Sequence, residues 1–468
     1  MTSWIDDEFQ ESKFADERLG KRLCRIVRQL FEKMGNTIPM ACQDWASTKA
    51  AYRFFSNPRL SEEEILEGHF QSTKSRVDAV DGTILVLHDT TEITYKRSQP
   101  GDIGYTRKCG NRKGLFDQKQ KRAMCGVLMH SSLVLTPEGL PLGFSAKKFW
   151  NRKRFKNAKS IYRRKNATRI PIEKKESYRW LECLRNSNKL LGDPHRLVHI
   201  GDREADIFEL FSLAQEEDSN YLVRIKVNRR TENETKTINS VLQKAKKRGK
   251  IKITYRDTDG TLVTAILAIK FEKMRLKPSF GIKSKNYPDL DATVIHAKEI
   301  SKSGGTREPI DWKLITNLPV ETVADATEKL QWYALRWKIE VFFNVLKSGC
   351  RIEESKLRTA EALCKLIAIQ SVLAWRVFWM TMLNRESQDL SPQFALSDVE
   401  TKILDHLKPD KDRIKQNLSS YILKIAKLGG YLARASDPPP GNKVMWRGMQ
   451  RLTDIQIGVE IGSKFVGN

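Results

Sequence analysis

Two short apolar runs limit what this chain can fold into. Thr83-Ile84-Leu85-Val86-Leu87-His88 and Leu197-Val198-His199-Ile200 show no alternation of polar and apolar residues. A strand that is apolar on both sides must be covered on both sides, so each run belongs inside a sheet with helices packed on it. Each run leads into an aspartate, Asp89 in Asp89-Thr90-Thr91 and Asp202 in Gly201-Asp202. A lone aspartate in that position is usually a turn or helix-cap residue. Two of them at the ends of adjacent buried strands would stand side by side.

A third acid lies on a patterned segment, Gln331-Trp332-Tyr333-Ala334-Leu335-Arg336-Trp337-Lys338-Ile339-Glu340-Val341-Phe342-Phe343-Asn344-Val345-Leu346-Lys347. On one continuous helix, at about 100° per residue, Tyr333, Arg336, Glu340 and Lys347 project within roughly 60° of one another. Leu335, Ile339, Phe342, Phe343 and Leu346 fall on the opposite arc. The expected helix presents one carboxylate between two cations and a phenol. Taken alone, Glu340 could simply pair with Arg336 on a solvated face, worth a few tenths of a kcal/mol. Together with Asp89 and Asp202 it completes three carboxylates from separate segments. That set suits two hard divalent cations about 3.5–4 Å apart, magnesium or manganese in preference to softer metals. The chemistry such a site performs is in-line phosphoryl transfer.

Charge says what the phosphorus belongs to. The chain has 468 residues, 83 basic against 57 acidic, for a formal net charge of +26. The commonest polyanionic partner is nucleic acid. No uninterrupted apolar run of about 18 residues is evident, so no spanning helix is expected. The N-terminus, Met1-Thr-Ser-Trp-Ile-Asp-Asp, does not read as a secretory signal. The seven cysteines, Cys24, Cys42, Cys109, Cys125, Cys183, Cys350 and Cys364, show no zinc spacing and read as reduced thiols of a cytoplasmic protein. His195 and His199, four apart, read as structural histidines, since no further ligands accompany them.

The length implies several domains. Residues 1–70 are expected to form a helical DNA-binding domain carrying Arg22, Arg25, Arg28, Lys49 and Arg53, with Ser47 capping a helix through Phe55. Residues 71–375 are expected to form a ribonuclease H-like catalytic core in a mixed sheet. Within it, Thr136-Pro137-Glu138-Gly139 should turn a hairpin, and Lys147 to Lys175 should be an irregular basic arm. Alternating segments over about 221–318 suggest an antiparallel β-rich insert. Residues 376–468 read as a C-terminal helical domain, broken at Asp437-Pro438-Pro439-Pro440-Gly441 before a final helix around Val444 to Leu452.

The sequence resembles the bacterial cut-and-paste transposases of the insertion-sequence-four family. The resemblance rests on His88-Asp89-Thr90-Thr91, on Asp202-Arg203-Glu204-Ala205-Asp206, on Tyr333-x-x-Arg336-x-x-x-Glu340-x-x-x-x-x-x-Lys347, and on Ala51-Tyr52-Arg53-Phe54-Phe55-Ser56-Asn57-Pro58. It implies that Asp89, Asp202 and Glu340 are a metal-binding DDE triad holding two Mg2+ ions, with Mn2+ able to substitute. It implies that Tyr333, Arg336, Lys347 and Arg224 hold DNA phosphates, and that Trp312 stacks on a flipped-out base, with Trp337 a second aromatic nearby. It also implies double-stranded DNA partners, a synaptic homodimer with its contact in the C-terminal helices, and a bacterial, nucleoid-associated setting. One position departs from the family pattern: Asn344 stands where a basic residue is usual. Two other functions fit the same residues less fully. A metal-dependent nuclease or resolvase would cut without joining, and a non-catalytic end-binding protein would need no carboxylates.

Overall fold

The computed structural model describes residues 4–9, 12–98, 100–108, 123–152, 170–232, 236–256, 262–279, 286–301, 308–386, 390–407 and 417–466. The chain divides into two units, one from residues 81–89 and 158–338, the other from 1–80, 90–157 and 339–468. The strands among the described residues are β1 (Ile84–Thr94), β2 (Tyr105–Lys108), β3 (Ala123–Leu135), β4 (Pro141–Trp150), β5 (Leu197–Gly201), β6 (Asn220–Arg224), β7 (Gly249–Arg256), β8 (Leu262–Leu276), β9 (Leu290–Glu299) and β10 (Asp311–Thr316). The sheet they form is mixed, and β1 contributes its first half to one unit and its second half to the other.

In the first unit the strand order is β1-β5-β6-β10-β9-β8-β7. β1, β5 and β6 run parallel. β10, β9, β8 and β7 follow antiparallel. Helices Tyr178–Leu191, Phe208–Glu216 and Ile238–Lys244 cover one face, burying Trp180, Phe211, Tyr221, Val223, Val294 and Ile315. Phe211 stacks on Tyr221 with ring centroids 4.6 Å apart. Helix Val323–Ala334 packs against β6 and β8. β5 is buried along its whole length, as two covered faces require.

A buried polar chain fastens β1 to β5. His88 Nε2 lies 2.8 Å from His199 Nδ1, and His199 Nε2 lies 2.8 Å from Asn188 Oδ1. Asn188 Nδ2 donates to Glu217 Oε2 at 2.7 Å, which fixes the amide's orientation. His199 therefore donates through Nε2 and accepts through Nδ1, and His88 donates through Nε2. Burial lowers the pKa of both rings, that of His88 to about 3, so both are neutral.

In the second unit β3 pairs with β2 and with β4, and Thr136–Gly139 makes the expected turn. Its helices include α1 (Trp4–Phe9), α2 (Glu17–Glu32), α3 (Ile38–Cys42), α4 (Trp45–Phe55) and α5 (Glu62–Asp78). α1 is anchored by a buried carboxylate. Glu8 accepts from Arg76 Nη1 and Nη2 at 3.0 and 2.9 Å and from His69 Nδ1 at 2.5 Å. His69 Nε2 accepts from the Phe144 N–H at 3.1 Å, so that ring is neutral, in line with burial lowering its pKa. Burial opposes the charge on Glu8, and Arg76 with His69 overcomes it, holding the carboxyl at about 2.

Several expectations change. The helix Ala360–Glu386 is long and apolar enough on average to cross a membrane, although Lys365, Gln370 and Arg376 interrupt its apolar run, and 94% of its apolar window is buried inside the protein. Asp44, not Ser47, caps α4, accepting from the Ser47 N–H at 2.7 Å. β6 pairs in parallel with β5, so Tyr221 to Arg224 belong to the parallel core and not to the insert. Lys147 to Trp150 extend β4, and residues 153–169 of the expected basic arm lie outside the described residues. The last helix spans Asn442–Val466, well beyond Leu452. Among the described residues the cysteines are free thiols, and Cys109 lies outside them.

The Glu8 cluster gives a signed pH dependence. The native carboxyl titrates near 2 against 4.5 for the ordinary group, so its stabilisation is present above about 4.5 and is lost as pH falls toward 2. At neutral pH that difference amounts to about 3 kcal/mol. Glu8→Gln is expected to lower the unfolding midpoint at pH 7 and to flatten its fall between pH 4.5 and 2. Near-ultraviolet circular dichroism across that range checks it; an unchanged midpoint contradicts the assignment.

Candidate active site at the carboxyl ends of the parallel strands

Strand register sets the geometry. β1 pairs Leu87 with Ile200 of β5, the last pair of that ladder, and Asp89 and Asp202 each follow two residues further along the chain. β5 pairs Gly201 with Val223 of β6, so Arg224 falls opposite Asp202. Arg224 in turn pairs with Leu314 of β10, two residues from Trp312. Directly paired residues point to the same face, and side chains repeat every second residue. Arg224, Leu314 and Trp312 therefore share the face on which helix Val323–Ala334 lies, and Asp89 and Asp202 follow Leu87 and Ile200, residues of that face. Both aspartates thus lie just past the last paired residues, at the carboxyl rim of the parallel strands. Open α/β sheets bind ligands at that rim.

The surroundings fix the acids. Asp202 leaves the ladder at the end of β5, and its Oδ1 accepts from the Glu204 N–H at 2.8 Å. Gly201 is needed here, because a Cβ would meet the Ala205 methyl at 2.3 Å. The turn continues to Asp206, whose Oδ2 accepts from the Lys226 and Val227 N–H groups, both at 2.6 Å. Asp206 also pairs with the buried Arg229. Asp206 thus ties the turn after β5 to the chain leaving β6, and no functional role was read for it in the sequence. Its signal was available: an acid four residues after Asp202, beside two apolar residues. The next helix begins at Phe208, after this turn.

Asp89 is not the last residue of its strand. β1 continues to Thr94, although the pairing to β5 stops at Leu87. Arg336 Nη1 lies 3.2 Å from Asp89 Oδ2, with side-chain exposures of 20% and 17%. Tyr333 is buried, and its ring meets Trp312 edge-on at 5.4 Å. Burial raises the Tyr333 hydroxyl pKa, Arg336 and Arg224 oppose that, and Asp202 reinforces it. The phenol thus lies within electrostatic reach of all three. Trp312 is half-buried, and Arg224 Nη2 donates to the Asp311 carbonyl at 3.3 Å.

The single helix expected over 331–347 is three pieces. Tyr333 lies on Val323–Ala334, Arg336 in the following turn, Trp337 and Glu340 on Trp337–Asn344, and Lys347 in a π-helical turn, Val345–Gly349. The Arg336 N–H bonds to the Tyr333 carbonyl at 3.0 Å, a tight i→i−3 turn, and the Cys350 N–H reaches back to Val345 at 3.3 Å. A constant 100° step therefore fails here, and the four side chains do not form one stripe. Tyr333 faces inward, whereas Glu340 and Asn344 are exposed and Lys347 is half-buried. Trp337 is 45% exposed and is not a core residue. Glu340 and Lys347 belong to the other unit. Arg53 is exposed on α4, where Lys49 Nζ lies 4.4 Å from the ring of the exposed Trp45.

The chain matches two known families. Residues 1–60 match a family described as transposase DNA-binding, and residues 175–375 match one described as a transposase DDE domain. The chain is a DDE transposase. The DDE match includes Asp202 and Glu340, and Asp89 precedes it. Domains of this class use divalent metal ions. Asp89 and Asp202 fit one chemically, since both are hard oxygen donors that follow the paired residues of adjacent parallel strands. Among the described residues no three His, Cys, Asp or Glu side chains are gathered as a metal site, and Asp89 is paired with Arg336.

The His88–His199 link makes the register of the transposase's two aspartates testable. His199→Phe removes the acceptor of His88 and the donor to Asn188, at a cost of about 1–3 kcal/mol. DNA cleavage by the variant is expected to fall at least tenfold at a temperature where the protein stays folded, while end binding measured by gel shift is retained. Equal loss of both would show that His199 serves general stability only.

Proposed function

We propose that this transposase moves its own element by a cut-and-paste route of the insertion-sequence-four kind, in the manner of the transposase of transposon five. What supports the reading is that Asp89 and Asp202 each follow the last paired residues of two adjacent parallel strands in a chain that matches a transposase DDE domain. Asp89, Asp202 and Glu340 form the DDE triad, with Glu340 one helical turn beyond Arg336, whose guanidinium meets Asp89. The triad would hold two Mg2+ ions, or Mn2+ in their place, which when bound activate the attacking oxygen and stabilise the leaving one.

The side chains supply the rest. Arg336, Arg224, Tyr333 and Lys347 hold phosphates of the DNA end, so that the scissile bond lies over the acid pair. Arg336 would then exchange its contact with Asp89 for a phosphate as cations enter. Trp312 offers an aromatic face to a base turned out of the duplex, with Trp337 beside it, offsetting the stacking lost when the strand bends. The order of events is nicking by water, attack of the freed 3′-hydroxyl on the opposite strand to form a hairpin, opening of the hairpin, and joining to target DNA. Each step breaks one phosphodiester bond and forms one P–O bond.

The N-terminal domain, 1–70, would read the element's ends through the exposed face of α4, where Trp45, Lys49 and Arg53 recur every four residues. The catalytic domain spans 71–375, and the helices of 376–468 would form the contact of a synaptic homodimer. Of the alternatives, a nuclease cuts without joining, and an end-binding protein needs no acids.

Glu340→Ala is expected to abolish cleavage, with at least a thousandfold loss, while end binding persists. Wild-type protein given pre-cleaved ends and a plasmid is expected to yield joined product. Fragments alone would favour the nuclease, and unchanged cleavage by Glu340→Ala would remove that residue from the site.

A further inference from the structure

The segment 236–256 carries eight lysines and arginines and no aspartate or glutamate. Its C-terminal part, Gly249–Arg256, forms β7, the strand at the end of the sheet order. Lys244, Lys246, Lys247, Lys250 and Lys252 are all exposed, as is Lys298 on β9. The pairing places them relative to the acids. Arg224 pairs with Leu314, Leu314 with Ile295, and Ile295 with Phe271. β8 pairs Ile269 with Gly249, so the line through Phe271 meets the chain at Lys247. Lys247 thus ends the transverse line that begins at Asp89 and Asp202. Lys250 pairs with Ala268, which pairs with Lys298, and Lys252 pairs with Ile266. These levels extend past the carboxyl ends of β1, β5 and β6. The basic group therefore reaches the same rim of the sheet as the acid pair, four strand intervals or about 19 Å from Arg224, with Lys247 in step with the acids and Lys250, Lys252 and Lys298, an odd number of residues along, projecting from the other face of the sheet. At 3.4 Å per base pair, that is roughly six base pairs of duplex.

We infer that this rim holds target DNA during strand transfer, through its phosphates and without regard to sequence. The inference rests on the reading above that the protein joins ends to a target. Flexible lysines present point charges, which position a backbone and do not read base edges. Thr254 and Thr264 lie across from each other on the same exposed surface, with hydroxyls 3.3 Å apart. Ile266 and Ile300, 40% and 46% exposed, are the apolar part of the surface. Element ends must be chosen by sequence, whereas a target duplex has only to be held. A surface of lysines and threonines suits the second task.

The test uses full-length protein carrying Lys246→Ala, Lys247→Ala, Lys250→Ala and Lys252→Ala together, with pre-cleaved end duplex as donor and supercoiled plasmid as target. End binding and hairpin formation are expected to stay within twofold of wild type. Joining should fall at least tenfold and recover as salt is lowered, and the log–log salt slope of plasmid binding should drop by about three to four. Lysine-to-arginine changes at the same four positions should restore joining. Unchanged joining overturns the inference, as does a parallel loss of end binding, cleavage and joining. If wild-type protein neither cuts nor joins, the function proposed above fails; the plasmid-binding slope still decides whether the rim binds duplex.

Discussion

The parallel pairing of β1 with β5 is the constraint on which the candidate site depends. A shift of one residue would turn Asp89 to the other face of the sheet and separate it from Asp202. Two interactions oppose that shift. The branched apolar residues of both strands are buried on both faces, so either strand would lose its packing by sliding. Beneath the acids, the neutral His88–His199–Asn188 chain bonds one strand to the other and to helix Tyr178–Leu191. The imidazoles face the helices and the carboxylates face the opposite side, because the side-chain period of a strand is two. One pairing thus serves both the core and the rim.

The turn after β5 extends the same logic. Asp202 closes a local loop with the Glu204 N–H, and Asp206 binds the backbone that leaves β6. Gly201 allows the close approach of Ala205. The string Gly201-Asp202-Arg203-Glu204-Ala205-Asp206 is therefore a rigid corner with one carboxylate placed at the rim and another spent on holding the corner together. Arg229 neutralises the buried one. The Arg336–Asp89 pair brings the turn at Arg336 to the same edge, and Tyr333 against Trp312 packs the helix before that turn onto β10.

Much of this was legible in the sequence because it depends on local pattern. The apolar runs ending near Asp89 and Asp202 are strands, and the hairpin at Thr136–Gly139 forms where its residues indicated. What escaped depends on longer-range effects. The break at Leu335–Arg336 and the π turn at Val345–Gly349 alter the helical step without any proline or glycine at the break, so an even 100° wheel could not reveal them. Tyr221 to Arg224 alternate like an insert strand, yet pair in parallel with β5, a partner that no local pattern specifies. Ala360–Glu386 is covered on all sides by its own unit, and its length and hydropathy resemble a membrane span for that reason. Charge counts identified a polyanion partner but could not show that the lysines of β7 lie toward the same rim as the acids; that follows only from the register of seven strands.

The most direct measurement is anomalous diffraction from Mn2+ in crystals of the transposase bound to a cleaved element end. The account predicts manganese between the carboxylates of Asp89 and Asp202, with Glu340 completing the coordination and Arg336 moved to a phosphate. Manganese bound elsewhere, or Asp89 still paired with Arg336 while metal and DNA occupy the protein, would contradict it.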